Sequence, residues 1–199
     1  MPMRSRAVPG YSLVELLVAV AILATAAALS VPVLLHTADA ADASAAARHI
    51  SALLARARFE AARRNRTVAL RVVDGPSEPA FSLVADGDGD GVEAADVADG
   101  VDPMLRPPDT LSAHFGGARF AIAGGMPGID GGGPLTSTDG PIRLGTSQQV
   151  SISPLGTATS GTLYIASRRG VQYAVRIAGV TGRVRVLRFV PGEARWVPV

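Results

Sequence analysis

Any chemistry in this sequence must come from carboxylates, arginines and three histidines, because its 199 residues include no cysteine and no lysine. That excludes thiolate metal sites, cysteine nucleophiles, a phosphate-loop lysine and Schiff-base chemistry. Asp86, Asp88, Asp90 and Gly91 follow the first half of a calcium loop, in which oxygens at positions 1, 3 and 5 surround a hard cation. Position 12 should be a bidentate glutamate and is Val97, while Glu93, Asp96 and Asp99 stand nearby at the wrong spacing. The plainer meaning is a polar β-turn that needs no metal cofactor, with calcium as the alternative. Arg183 and Arg185 alternate in a stretch where seven arginines, from Arg168 to Arg195, face only Glu193. Arginines so placed suit phosphate contacts, and they equally suit the solvent face of a strand. A net charge of +2 and 5% aromatic residues argue against a general polyanion binder with stacking platforms. His36, His49 and His114 lie in no Gly-x-Ser-x-Gly or His-Glu-x-x-His string, so nothing here calls for an enzyme.

The elements that must position these groups begin with a short basic leader holding Arg4 and Arg6. Leu16 through Leu35 then carry no charge. At about 1.5 Å per residue such a run spans about 30 Å as a helix, the thickness of a bilayer core. It exceeds the apolar region of about 7–15 residues found in a secretory signal peptide. Arginines ahead of it predict a cytoplasmic N-terminus and an outward body. Glu15 sits at the lip of the run, where a carboxylate drawn toward the bilayer centre costs about 2.5–3.5 kcal/mol. Beyond Pro32 the chain is rich in alanine and arginine, and Ile50, Leu53, Leu54, Ala57 and Ala61 recur at helical spacing. After Asn65 the period falls to two: Val68, Leu70 and Val72, then Phe81 and Leu83, Phe120 and Ile122, Val150 and Ile152, Leu163 and Ile165, Tyr173, Val175 and Ile177, Val184 and Val186. Gly, Pro and Asp punctuate these runs, the signature of antiparallel strands. The fold class is therefore α+β, a long helix followed by a small antiparallel β-sandwich. Gly124 to Gly140, with seven glycines, reads as an exposed loop.

The string from Gly10 to Leu23, GYSLVELLVAVAIL, resembles the class III signal of type IV pilins and type II secretion pseudopilins. Gly10 matches the family's glycine, Tyr11 the new N-terminus (more often Phe), Glu15 the acid five residues into the mature chain, and Pro32 the usual helix proline. Ala57 to Asn65 followed by Thr67-Val68-Ala69-Leu70 is similar to the helix end and first strand of the GspH/FimT branch. Gly182-Arg183-Val184-Arg185 looks like an element associated with DNA binding in FimT-type minor pilins.

This resemblance implies removal of residues 1–10 by prepilin peptidase, cleavage between Gly10 and Tyr11, and methylation of the Tyr11 amine. It implies a membrane helix over 11–35, its amphipathic continuation over 36–66, and a globular β domain over 67–199. The implied protein is a minor pseudopilin at the tip of the type II secretion pseudopilus, with Glu15 setting the stagger between neighbouring helices. Its partners would be prepilin peptidase, other pseudopilins, the assembly platform and the bacterial inner membrane, with the globular domain periplasmic. The alternative is a type IV pilus minor pilin in pilus assembly or DNA uptake. Only that alternative makes DNA a partner.

Overall fold

The computed structural model describes residues 10–129, 133–145 and 148–199. The first element is one long helix, α1 (Leu13–Arg64), and the chain divides into two compact units after Ala38.

In the first unit every described residue is exposed. Ser12 starts the helix: its Oγ accepts the Glu15 amide at 3.1 Å, and its carbonyl accepts the Leu16 amide. Ser12-x-x-Glu15 has the spacing of a capping box, and a carboxylate in the first turn also suits the positive end of the helix dipole. The hydroxyls within the apolar run bond back to their own helix. Thr25 donates to the Ala21 carbonyl and Ser30 to that of Ala26, each at 2.8 Å, which leaves neither hydroxyl a bare donor. Pro32 has no N–H for the Ala28 carbonyl, yet the helix runs through it.

The second unit holds the rest of α1 and all of the strands. The helical stripe anticipated from spacing is the buried one: Ile50, Leu53, Leu54, Ala57 and Ala61 face inward, joined by Ala43, Ala46 and Ala47. The first antiparallel sheet has strand order β3-β2-β1-β8, from β1 (Val68–Val73), β2 (Ala80–Ala85), β3 (Met104–Asp109) and β8 (Gln149–Ile152). The second has order β12-β11-β10-β9-β4. It is built from β4 (Arg119–Phe120), β9 (Gly161–Ala166), β10 (Gln172–Ala178), β11 (Arg183–Val190) and β12 (Arg195–Pro198), with β7 (Ile142–Arg143) also pairing β9. Val68, Leu70, Val72, Phe81 and Leu83 from one sheet share a single core with Leu163, Ile165, Tyr173, Val175 and Ile177 from the other and with the α1 stripe.

Because side chains alternate along a strand, the remaining positions of each sheet point away from that core. Outside the first sheet, Ala69 and Val84 are covered by Val92 and Val97, which seat the short helix α2 (Ala94–Asp99). Outside the second sheet, Tyr164 and Ala174 are covered by a hairpin of β5 (Met126–Pro127) and β6 (Pro134–Leu135).

That hairpin corrects the expectation of an exposed loop from Gly124 to Gly140: Met126 and Leu135 are 2% and 3% exposed. The cause lies in the sheet, since an outward-facing tyrosine needs both an apolar cover and a partner for its hydroxyl. Tyr164 Oη accepts the Ile129 amide at 3.1 Å, and Trp196 Nε1 donates to the Pro127 carbonyl at 2.8 Å. Strand β3 was hidden in the sequence by Pro107 and Pro108. Prolines are tolerated there because β3 is a sheet edge.

Candidate functional site

Three places hold the residues singled out by type and spacing. The first is the start of α1. Gly10 and Tyr11 precede the helix and are exposed, Tyr11 at 85%. The Glu15 carboxylate makes no hydrogen bond or ion pair among the described residues, while its own amide is capped by Ser12. Sequence reasoning passed over Ser12, although the Ser-x-x-Glu spacing would have revealed it. Pro32 lies in the last turn of the uncharged run and contributes no side-chain chemistry.

The second place is the acidic turn between β2 and β3. Asp86 Oδ1 accepts the Gly89 amide at 2.6 Å. Asp102 takes the Gly87 amide on Oδ1 at 2.8 Å and the Glu93 amide on Oδ2 at 3.0 Å. Two of the buried carboxylates therefore serve the backbone of the turn. Asp86, Asp88 and Asp102 form one group of carboxylates and Asp88, Asp90 and Asp96 another, with ligand oxygens within 4.8 Å of one another in each. The outer group is the more exposed one, and in it Asp88 Oδ1 accepts the Asp90 amide at 3.5 Å. Asp88 and Asp90 share a hydrogen bond that holds Asp88 low and, with burial and neighbouring acids, pushes the Asp90 carboxyl up to about 6. Val97, at the position where calcium loops carry glutamate, is instead a packing residue over Val84.

The third place is the outer face of the second sheet. Arg183 and Arg185 point there with Leu187 and Phe189, while Val184 and Val186 turn toward the core. Arg185 lies directly across from Arg176 on β10. With Ile129, Ala178, Thr181 and Leu187 these arginines line a cleft of about 590 Å³. Gly182 is required at the turn into β11. Its φ is +58°, and a Cβ there would stand 2.2 Å from the Gly156 carbonyl oxygen.

The histidines lie elsewhere. His36 is exposed on the helix. His49 packs against Phe81 and Phe115, with ring centroids 5.9 and 5.3 Å away, and its buried Nε2 has no hydrogen-bond partner among the described residues. His114 Nε2 sits 3.0 Å from both Asp109 oxygens. Burial drives the Asp109 carboxyl upward, but hydrogen bonds from Arg106 and His114 outweigh it and hold the group below its ordinary range.

A long N-terminal helix with an exposed apolar run, followed by a two-sheet antiparallel domain, is a pilin-like architecture consistent with a membrane anchor. Residues 6–31 match the prokaryotic N-terminal methylation motif, and residues 46–182 match the pattern of type II transport protein GspH. The chain belongs to the GspH family, a family of structural pseudopilins and not of enzymes. Comparison with individual curated proteins and with solved structures gave no match.

Proposed function

We propose that this chain is a minor pseudopilin of the type II secretion system, a subunit at the tip of a short periplasmic fibre. The observation that carries the reading is the methylation motif over residues 6–31, which takes in most of the uncharged helical run and precedes a GspH-type domain. Prepilin peptidase cuts between Gly10 and Tyr11 at the cytoplasmic face and methylates the Tyr11 amine. The helix over 11–35 stays in the inner membrane, and residues 36–66 and the domain over 67–199 face the periplasm. On assembly, helices leave the bilayer and pack together. The Glu15 carboxylate, which has no partner among the described residues, then receives a neighbour's N-terminal amine, and Pro32 softens the helix within the packed core.

The Glu15→Val variant tests this reading. It removes a charge from an apolar helix, so insertion and processing persist. Removing one member of a buried ion pair costs about 3–5 kcal/mol, a factor above ~100 in an assembly equilibrium. Co-purification of the variant with other pseudopilins is therefore lost. Co-purification at the level of the unsubstituted chain would return Glu15 to a capping role alone.

A second reading, a type IV pilus minor pilin in DNA uptake, is favoured by the arginine-lined cleft at Arg183 and Arg185. It requires duplex binding whose log affinity falls against log salt by about 0.9 per phosphate neutralised. Arg183→Gln with Arg185→Gln would then flatten that slope by up to about two contacts. The secretion reading expects no such binding.

A further inference from the structure

The turn between β9 and β10 is tied to α1 just beyond the end of the uncharged run. The turn, over residues 167–170, closes through the Gly170 amide on the Ser167 carbonyl at 3.3 Å, and the buried Ser167 Oγ accepts the Val171 amide at 2.9 Å. The Arg169 amide donates to Asp39 Oδ2 of α1 at 3.2 Å. Arg168 and Arg169 stand exposed at the tip. Neither guanidinium group has an ion pair among the described residues. Arg119, exposed on β4 across from Ala166, adds a third cation at this end. The acids nearby face the protein instead. Asp39 is 8% exposed with an oxygen on the turn, and Asp42 Oδ2 lies 1.8 Å from where a Cβ on Gly116 would stand. The chain has no acid from residue 140 to residue 192.

Asp39 follows four residues after Leu35, the last residue of the uncharged run. That step is about 6 Å of helix, and at most about 14 Å for any chain of that length. The headgroup layer outside a bilayer core is about 5–8 Å deep. With residues 11–35 in a membrane, chain length alone therefore keeps Asp39, and the turn it holds, near the level of the lipid phosphates. Long arginine stems carry the charge over the remaining distance. We propose that Arg168 and Arg169 dock on the phosphates of anionic phospholipids in the leaflet beside the domain, and hold the domain on the membrane before assembly. The inference rests on the reading of residues 11–35 as a membrane helix. Guanidinium groups suit this partner because they meet phosphate oxygens through paired, charge-assisted hydrogen bonds. Each arginine beside an anionic leaflet changes such an equilibrium about five-fold, and two change it about thirty-fold. Exposed charges are screened over about 8 Å at physiological salt, so the contact weakens as salt rises. It has to break when the subunit enters the fibre.

Reconstitution of the full chain into lipid vesicles tests the proposal, with single cysteines as labelling sites because the sequence has none of its own. Ala123 is exposed, and its Cβ lies 3.8 Å from the Cβ position of Gly170. Val180 is 89% exposed in the turn at the other end of β10, about 20 Å away by strand length. Vesicles of phosphatidylglycerol with phosphatidylcholine are compared with vesicles of phosphatidylcholine alone, each carrying a nitroxide on some headgroups. A fluorophore on Ala123→Cys is quenched more strongly in the anionic vesicles, and one on Val180→Cys shows no such difference. Arg168→Gln with Arg169→Gln removes the difference, as does about 1 M salt, where the screening length is about 3 Å. Arg183→Gln with Arg185→Gln, an equal charge change on β11, leaves it intact. Equal quenching in the two kinds of vesicle would overturn the proposal. So would a difference that survives the substitutions at Arg168 and Arg169 while Trp196 fluorescence shows a folded domain. A difference lost equally with the β11 pair would overturn it in favour of overall charge. A fluorophore on Leu23→Cys separates this inference from the reading beneath it. Quenching there by acyl-chain nitroxides, beside an Ala123→Cys chain that ignores lipid charge, overturns the docking and leaves the membrane helix standing. No such quenching at Leu23→Cys overturns the membrane helix and the docking with it.

Discussion

Leu54 and Leu23 lie in one unbroken helix, and the same truncation at each should have opposite consequences. Leu54 is 1% exposed and belongs to the core shared by α1 and both sheets. Leu→Ala at such a site costs about 2.7–5 kcal/mol, the lost transfer energy plus a cavity that the neighbours fill only in part. Ile50, Leu53 and Ala57 surround it on a rigid helix, so little collapse is available. For a domain of this size each kcal/mol moves Tm by about 2–4 °C, and Leu54→Ala should lower Tm by roughly 5–20 °C. Leu23 is 69% exposed and touches no core. Leu23→Ala should therefore leave the domain's Tm within about 1 °C, while making the membrane segment less apolar by about 2 kcal/mol. The single tryptophan, Trp196, packs with Tyr164 and Phe189 in the second unit. Its fluorescence in detergent-solubilised protein follows that unit alone. A Leu54→Ala loss below about 3 °C, or an equal loss for Leu23→Ala, would refute the division of α1 into a lipid half and a core half.

Intact-mass analysis of membrane-extracted protein should show a chain starting at Tyr11 and carrying one added methyl group; a mass that retains residues 1–10 contradicts the processing proposed here. Burial, followed by the Arg106 charge, holds the His49 pKa below its ordinary 6.5, while Asp109 opposes and His114 reinforces that shift. As pH falls below 6.5 the unfolded chain takes up the proton first, so domain stability declines from there until pH passes the folded pKa. His49→Phe should abolish this decline, as read from Tm at pH 7.5 and 5.5. The Asp90 carboxyl, raised to about 6, behaves in the opposite sense: its protonated form favours the fold, and stability is lost as pH rises from about 4 through 6. Asp90→Asn should thus raise Tm at pH 7.5 and change little at about pH 3.5, below the ordinary carboxylate pKa. A calcium site would instead show a calcium-dependent rise in Tm that the variant loses.

The sequence by itself determined the parts that depend on local order. A run without charge can only seek lipid or a like surface, whatever else the chain does. The methylation motif over residues 6–31 is a linear pattern, and the stripe from Ile50 to Ala61 follows from 3.6 residues per turn. Period-two alternation likewise identified the inward faces of β1, β2, β9 and β10. It could not say what would lie on the outward faces, because cover comes from segments remote in sequence. Ala69 looked like a solvent position until Val92 and Val97 were placed over it. The glycine-rich stretch looked like a loop until Tyr164 and Trp196 bound its backbone. Arg183 and Arg185 were visible as a strand pattern. Their opposition to Arg176, and the cleft they share with Ile129, exist only because pairing register and the hairpin bring distant residues together. Local periodicity decides which way a side chain points, and long-range packing decides what it meets there.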